Sequence, residues 1–264
     1  MSEPLFTTGA DGTFVPSGHA RGPWDPDAMH GGAPGALLAR EIERAEAPGP
    51  MLLSRLSMEF VRAVPMAPLT VETRVVRPGR KLQLVEAVVR AGGEDVLWAR
   101  ATRLRREAVA VPEGAIRTDG PPGPETGVAI GSSLDGSTGG ESFALSGMEI
   151  VFTDGDFGAP GPATAWFRLR RPVVDDEVPT GAQRAVAAGD FGNGIAGELS
   201  FATHMFVNAD LSVHLLREPV GEWIALRART EHGPEGTALA RSALYDATGP
   251  VGLAAQSLFV TARQ

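Results

Sequence analysis

Two stretches of the sequence, Arg55-Leu-Ser-Met-Glu-Phe-Val-Arg62 and Asp210-Leu-Ser-Val-His-Leu-Leu-Arg217, can be laid over one another with Ser57 on Ser212, Phe60 on Leu215 and Arg62 on Arg217. In the first, Leu56, Met58 and Phe60 alternate with Arg55, Ser57 and Glu59. Such alternation marks a strand with one buried face. Outward from the first copy, Gly32 to Ala47 reads as a helix. Pro34 suits its first turn, Leu38, Ile42 and Ala45 share a face, and Pro48-Gly49 ends it. Strand patterns then run over Leu52–Val64, Leu69–Val76, Leu82–Arg90 and Val96–Leu104, with a hairpin signal at Gly92-Gly93. Around the second copy the order recurs. An alanine-rich helix over Pro179–Gly189 precedes strands over Ala202–Leu216, Trp223–Thr230, Ala238–Tyr245 and Val251–Thr261.

Between the copies, residues 107–141 hold eight glycines and four prolines with little apolar periodicity, so they read as a linker or crossover. The expected organisation is residues 1–106, this linker, and residues 142–264. A helix followed by antiparallel strands that curl around it is the hot-dog arrangement. The expected fold class is α+β: a double hot-dog, two tandem units each with a helix wrapped by an antiparallel sheet.

Composition narrows the function. A net charge of −8 argues against nucleic acid, which demands a basic face. No stretch approaches the about 20 apolar residues of a membrane span, and the start of the sequence lacks the basic region of a signal peptide. The expected location is cytoplasmic. With no cysteine, thiolate metal sites and cysteine nucleophiles are excluded. No G-x-S-x-G elbow, P-loop, dinucleotide fingerprint or HExxH spacing occurs. His19, His204, His214 and His232 receive no role, and neither a metal nor a cofactor is expected.

Four places could carry chemistry. Asp190 follows the glycine that ends the second helix, in Gly189-Asp-Phe-Gly-Asn-Gly194. There it faces the negative end of the helix dipole, an unfavourable place for a merely decorative acid. The competing reading is a turn in which Asp bonds its own backbone. Gln256 shares parity with Ala254, Leu258 and Val260, so its amide falls on an apolar face and needs partners; an edge position reaching solvent is the alternative. Asn208 shares parity with Asp210 and Ser212, opposite the apolar run, which fits a solvated face. His30-Gly31-Gly32 opens the first helix, where backbone N–H groups and the positive dipole end can hold a phosphate or an oxyanion. A tight turn into a helix accounts for the glycines equally well.

Taken together, these motifs resemble the acyl-CoA thioesterase II family and the wider double hot-dog, thioesterase-like proteins over nearly the whole chain. The resemblance is strongest from Trp166 to Gln264. It implies hydrolysis of an acyl-CoA thioester. Asp190 in Gly-Asp-Phe matches the family's catalytic Asp, Gln256 in Ala255-Gln256-Ser257-Leu258 matches its glutamine, and Asn208 stands where a threonine is usual, ahead of Arg217-Glu-Pro219. Asparagine can still donate one hydrogen bond and accept another. The N-terminal half resembles single hot-dog thioesterases through His30-Gly31-Gly32, which would touch substrate. Their helix acid falls nine residues later, at Ala39 here, and Ala101 is the counterpart of Gln256. One site per chain is therefore implied. A non-catalytic acyl-binding protein is the rival reading, and exposed sheet edges favour a homodimer.

Overall fold

The computed structural model describes residues 3–130 and 140–263. At its centre β3 (Met51–Phe60) lies antiparallel to β11 (Asp210–Leu215), with Ser57 opposite Ser212. These are the serines that the sequence match superposes, and their hydroxyls meet at 2.9 Å. On either side Glu59 faces Asp210 and Arg55 faces His214. That is the reciprocal pairing of an isologous contact, here within one chain.

Outward from β3 the sheet continues through β6 (Glu94–Arg105), β5 (Leu82–Ala91), β4 (Leu69–Arg77), β2 (Phe14–Pro16) and β1 (Phe6–Thr8). Outward from β11 come β14 (Gly249–Ala262), β13 (Thr237–Asp246), β12 (Trp223–His232), β9 (Ala163–Leu169), β8 (Met148–Asp154) and β7 (Val128–Ala129). The pairs along this path are antiparallel. The chain is thus α+β, mostly sheet with few helices. Among the described residues no helix is long and apolar enough to cross a membrane.

Helix α1 (Gly32–Arg44) packs on α2 (Gly181–Gly189) through residues small enough to bring their backbones together. A Cβ on Gly32 would stand 2.5 Å from the Ala187 carbonyl oxygen, and one on Gly35 would stand 2.9 Å from Met58 Cε and 3.1 Å from Val186 Cγ1. Leu37, Leu38, Ile42, Leu56 and Met58 join Val186, Val213 and Leu226 in one apolar core beneath the sheet.

Several boundaries differ from the sequence reading. The first helix stops at Arg44 instead of Ala47. Ala45 turns to extended backbone, and Arg103 from β6 donates to the carbonyls of Glu43 and Ala45. The second helix begins at Gly181 instead of Pro179, because Thr180 is its N-cap and accepts the Gln183 N–H. The short hairpin β1–β2 was not anticipated, nor were β8 and β9. In β9 Ala163 to Phe167 are all buried, so no alternation marks it. The expected single strand over Ala202–Leu216 is broken at Ala209 into β10 (His204–Asn208) and β11.

One buried ion pair ties the loop after β11 to β13. The Asp246 carboxylate accepts from both terminal nitrogens of Arg217 (2.5 and 2.7 Å), from the N–H groups of Val220 and Thr248, and from the Thr248 hydroxyl. Burial opposes ionisation, but these donors outweigh it and lower the carboxyl from 3.8 to about 2. A depressed carboxyl contributes stability that is present above its unfolded value and lost as pH falls through its folded one. Asp246→Ala should therefore cost about 2–3 kcal/mol in urea unfolding at pH 7, since the Arg217 side chain keeps some access to solvent. The deficit should shrink between pH 4 and pH 2; a deficit independent of pH would contradict this assignment.

Candidate active site

Asp190 caps the C-terminus of α2 and is 7% exposed. Its backbone and that of Phe191 remain right-handed helical, leading into a one-turn helix α3 (Gly192–Ile195). Asp190 and Asn193, three residues apart, therefore share a face. Gly192 permits this, since a Cβ there would lie 2.9 Å from Ser242 Oγ and 3.0 Å from Gln256 Oε1.

The carboxylate is held from three directions. Oδ1 accepts from Asn208 Nδ2 at 2.8 Å and from Gln256 Nε2 at 3.0 Å. Oδ2 lies 2.9 Å from His30 Nδ1. Gln256, 1% exposed on the apolar face expected for it, uses both ends of its amide: Nε2 also reaches the Asp190 carbonyl, and Oε1 accepts the Asn193 N–H at 3.3 Å. The requirement that a buried amide find partners is met in full.

Asn208 reaches Asp190 because of an irregularity that alternation cannot reveal. Asn208 pairs with Leu258, but four residues later Ser212 pairs with Ala255, only three positions back along β14. The extra residue is a β-bulge, which re-aims the side chains on one side of it. Before it Phe206 points inward, and after it Leu211, Val213 and Leu215 do. Asn208 is thus turned from the solvated face expected of it toward the core. The bulge is pinned: Ala209 N–H donates to Ser257 O, Phe60 N–H donates to Ala209 O, and the Asp210 carboxylate accepts both the N–H and the hydroxyl of Ser257.

His30 enters from the other side, stacked on Phe191 with ring centroids 4.3 Å apart. Its Nδ1 is approached by the Gly32 N–H at 3.2 Å as well as by Asp190. One nitrogen cannot donate to a carboxylate and accept an N–H together. The shorter, charge-assisted contact is the stronger, placing the proton on Nδ1 and directing it to Asp190. Gly31 lies under Phe60, where a Cβ would be 2.5 Å from Phe60 Cζ and 2.9 Å from Asp190 Oδ2. The carboxylate therefore sits at the positive end of α1 as well as the negative end of α2.

A cavity of about 370 Å³ opens on this cluster, within the range of small-molecule sites. Asp190, His30, Gly31, Asn193, Asn208 and Phe60 line it, with Trp24 and Met205 among its other walls. Of the residues predicted from sequence, Gln256 stands behind Asp190 instead of in the wall, and Gly32 is turned toward α2. Asn193 was missed; its only signal was its place three residues after Asp190. Among the described residues, Glu3, His19 and Glu141 bring ligand atoms within 4.8 Å of one another, but none of them lines the cavity.

Residues 20–104 match the model of the acyl-CoA thioesterase N-terminal domain, and residues 117–260 match that of the acyl-CoA thioesterase C-terminal domain. The chain belongs to the acyl-CoA thioesterase family. It is, by that membership, a thioester hydrolase. Among solved structures it is similar to a Thermobifida fusca protein provisionally called a thioesterase II, at 16% identity and TM-score 0.74, covering 98% of this chain and 95% of that one. It is also similar to a hot-dog protein of unknown function from Alicyclobacillus acidocaldarius (16% identity, TM-score 0.70, 96% and 92% covered). A third is the acyl-CoA thioesterase II TesB2 of Mycobacterium marinum (15% identity, TM-score 0.64, 89% and 90% covered). At these identities the likeness shows the hot-dog fold. No curated protein matches the chain significantly.

Asn208→Asp would set a second carboxylate against Asp190 at the position where an amide now donates. Like charges at that range raise carboxyl pKa values. The acid limb of the kcat/KM profile for an acyl-CoA should move up by about one pH unit or more, and an unmoved limb would separate Asn208 from the group that titrates.

Proposed function

We propose that the chain is a cytoplasmic acyl-CoA thioesterase with one active site, in which Asp190 is the general base for attack of water on the thioester. The observation that carries this reading is the arrangement around the carboxylate. Oδ1 is occupied by the Asn208 and Gln256 amides, Oδ2 stands against His30 Nδ1, and the residue lines the cavity. A carboxylate fixed in this way can accept a proton without first reorganising. Water held by Asn208, whose carbonyl oxygen and second N–H bond none of the described residues, attacks the carbonyl carbon. The C=O electron pair moves onto oxygen, and the water proton passes to Asp190. Collapse of the tetrahedral species re-forms C=O and breaks the C–S bond. The departing thiolate takes the proton back, leaving a free acid, CoA thiol and ionised Asp190. The Gly31 N–H, at the positive end of α1, is one donor to the developing oxyanion.

We further read the chain as two hot-dog units, residues 1–106 and 142–264, joined by a crossover over 107–141. The reciprocal β3–β11 register and the matching strand order on its two sides support this. One site follows. Ser57 faces Arg100 as Ser212 faces Ala255, so Ala101 holds the place of Gln256, and Ala39 is buried within α1. Glu43, near the end of α1, is raised by burial and bonded by Gln183 and Thr180, and no described cavity opens on it. Exposed Val207, Leu253 and Phe259 support self-association of two such chains.

Asp190→Asn should keep its fold and its sedimentation as a dimer, and release thiol from acyl-CoA about 10²–10⁴-fold more slowly. An unchanged rate would refute the base assignment. Wild-type protein that melts later with acyl-CoA yet never releases thiol would be a binding protein instead.

A further inference from the structure

Asn193 is 5% exposed and lines the cavity, yet only part of its side chain is used. Its Oδ1 accepts the Thr230 hydroxyl at 3.4 Å, and its backbone N–H donates to Gln256 Oε1. Its Nδ2 makes no hydrogen bond to any described residue. That atom is not sealed in the interior but open to the cavity that Asn193 lines, whereas the Gln256 Nε2 beside it is spent on Asp190. An amide N–H₂ in the cavity wall one helical turn beyond that carboxylate, with no acceptor among the described residues, is free to meet one from a bound substrate.

We propose that Asn193 is a catalytic residue, its Nδ2 donating to the thioester carbonyl oxygen and to the oxyanion that oxygen becomes. The assignment rests on Asp190 being the base, and it follows from a division of hydrogen-bonding capacity. Asn208 retains an acceptor and a donor, the pair that a water molecule needs. Asn193, with Oδ1 taken by Thr230, has donors alone, which suits an oxygen that has no proton to give. The Gln256 side chain bonds the backbone of Asn193 and the carboxylate of Asp190 together, so base and oxyanion donor are held at a fixed spacing. Fixed donors aimed at developing charge act more strongly on the transition state than on the substrate.

The test uses the full chain and a series of acyl-CoA substrates, with a non-hydrolysable S-alkyl-CoA thioether, which has no carbonyl, as a binding probe. Asn193→Ala and Asn193→Asp should lower kcat about 10²–10³-fold, as loss of one oxyanion donor does. Thioether affinity should stay within about threefold of wild type, since that ligand offers Asn193 no acceptor. Thr230→Val, which frees Oδ1 to turn while leaving the amide in place, should lower kcat by a smaller factor with an unchanged melting temperature. A folded Asn193→Ala with kcat within about twofold of wild type would overturn the proposal. So would a fall in kcat/KM matched by an equal fall in thioether affinity, the mark of a structural role. If Asp190→Asn is inactive while Asn193→Ala is fully active, this inference alone fails. If Asp190→Asn is fully active, the base reading fails instead.

Discussion

Because Ser57 stands opposite Ser212, the C-terminal end of β3 and the N-terminal end of β11 arrive side by side, and the site is built where they meet. Phe60, the last residue of β3, donates its N–H to Ala209, the bulged residue that turns Asn208 inward. On the other side of β11, β14 sets Ala255 against Ser212, which places Gln256 one step along and on the buried face. A slip of one residue in either pairing would turn these side chains to the opposite face. Registry in the sheet thus decides which amides can reach Asp190.

The helices complete the same arrangement from beneath. Gly32 and Gly35 let α1 approach α2 and β3 so closely that the N-terminus of one helix meets the C-terminal residue of the other. A carboxylate ending α2 by itself would face only carbonyl oxygens. Here it also faces His30 and the N–H groups that open α1. Two opposed helix ends, one unfavourable to negative charge and one favourable, thus meet at the Asp190 carboxyl beside the cavity.

Much of this was legible in the sequence, for identifiable reasons. Period-two alternation located β3 to β6 and β12 to β14, and the likeness of residues 55–62 to 210–217 marked two equivalent strands, though not that they pair with each other at the centre. Gln256 could be read as buried because one parity holds from Ala254 to Val260 in β14. Asn208 could not, because a single extra residue reverses parity and the Asp210 carboxylate that pins it looks, in sequence, like an ordinary polar position. Asn193 was hidden for another reason: its function lies in a hydrogen bond it does not make, which only the surrounding geometry exposes.

The central claim is that Asp190 takes a proton from water and does not itself attack the thioester. A single turnover with enzyme in excess of acyl-CoA, run in ¹⁸O-labelled water, tests for an acyl–Asp190 anhydride that water opens at the Asp190 carbonyl carbon. The account predicts label in the released acid and none in the peptide containing Asp190. Unlabelled acid from the first turnover, with label in the Asp190 carboxylate, would contradict it.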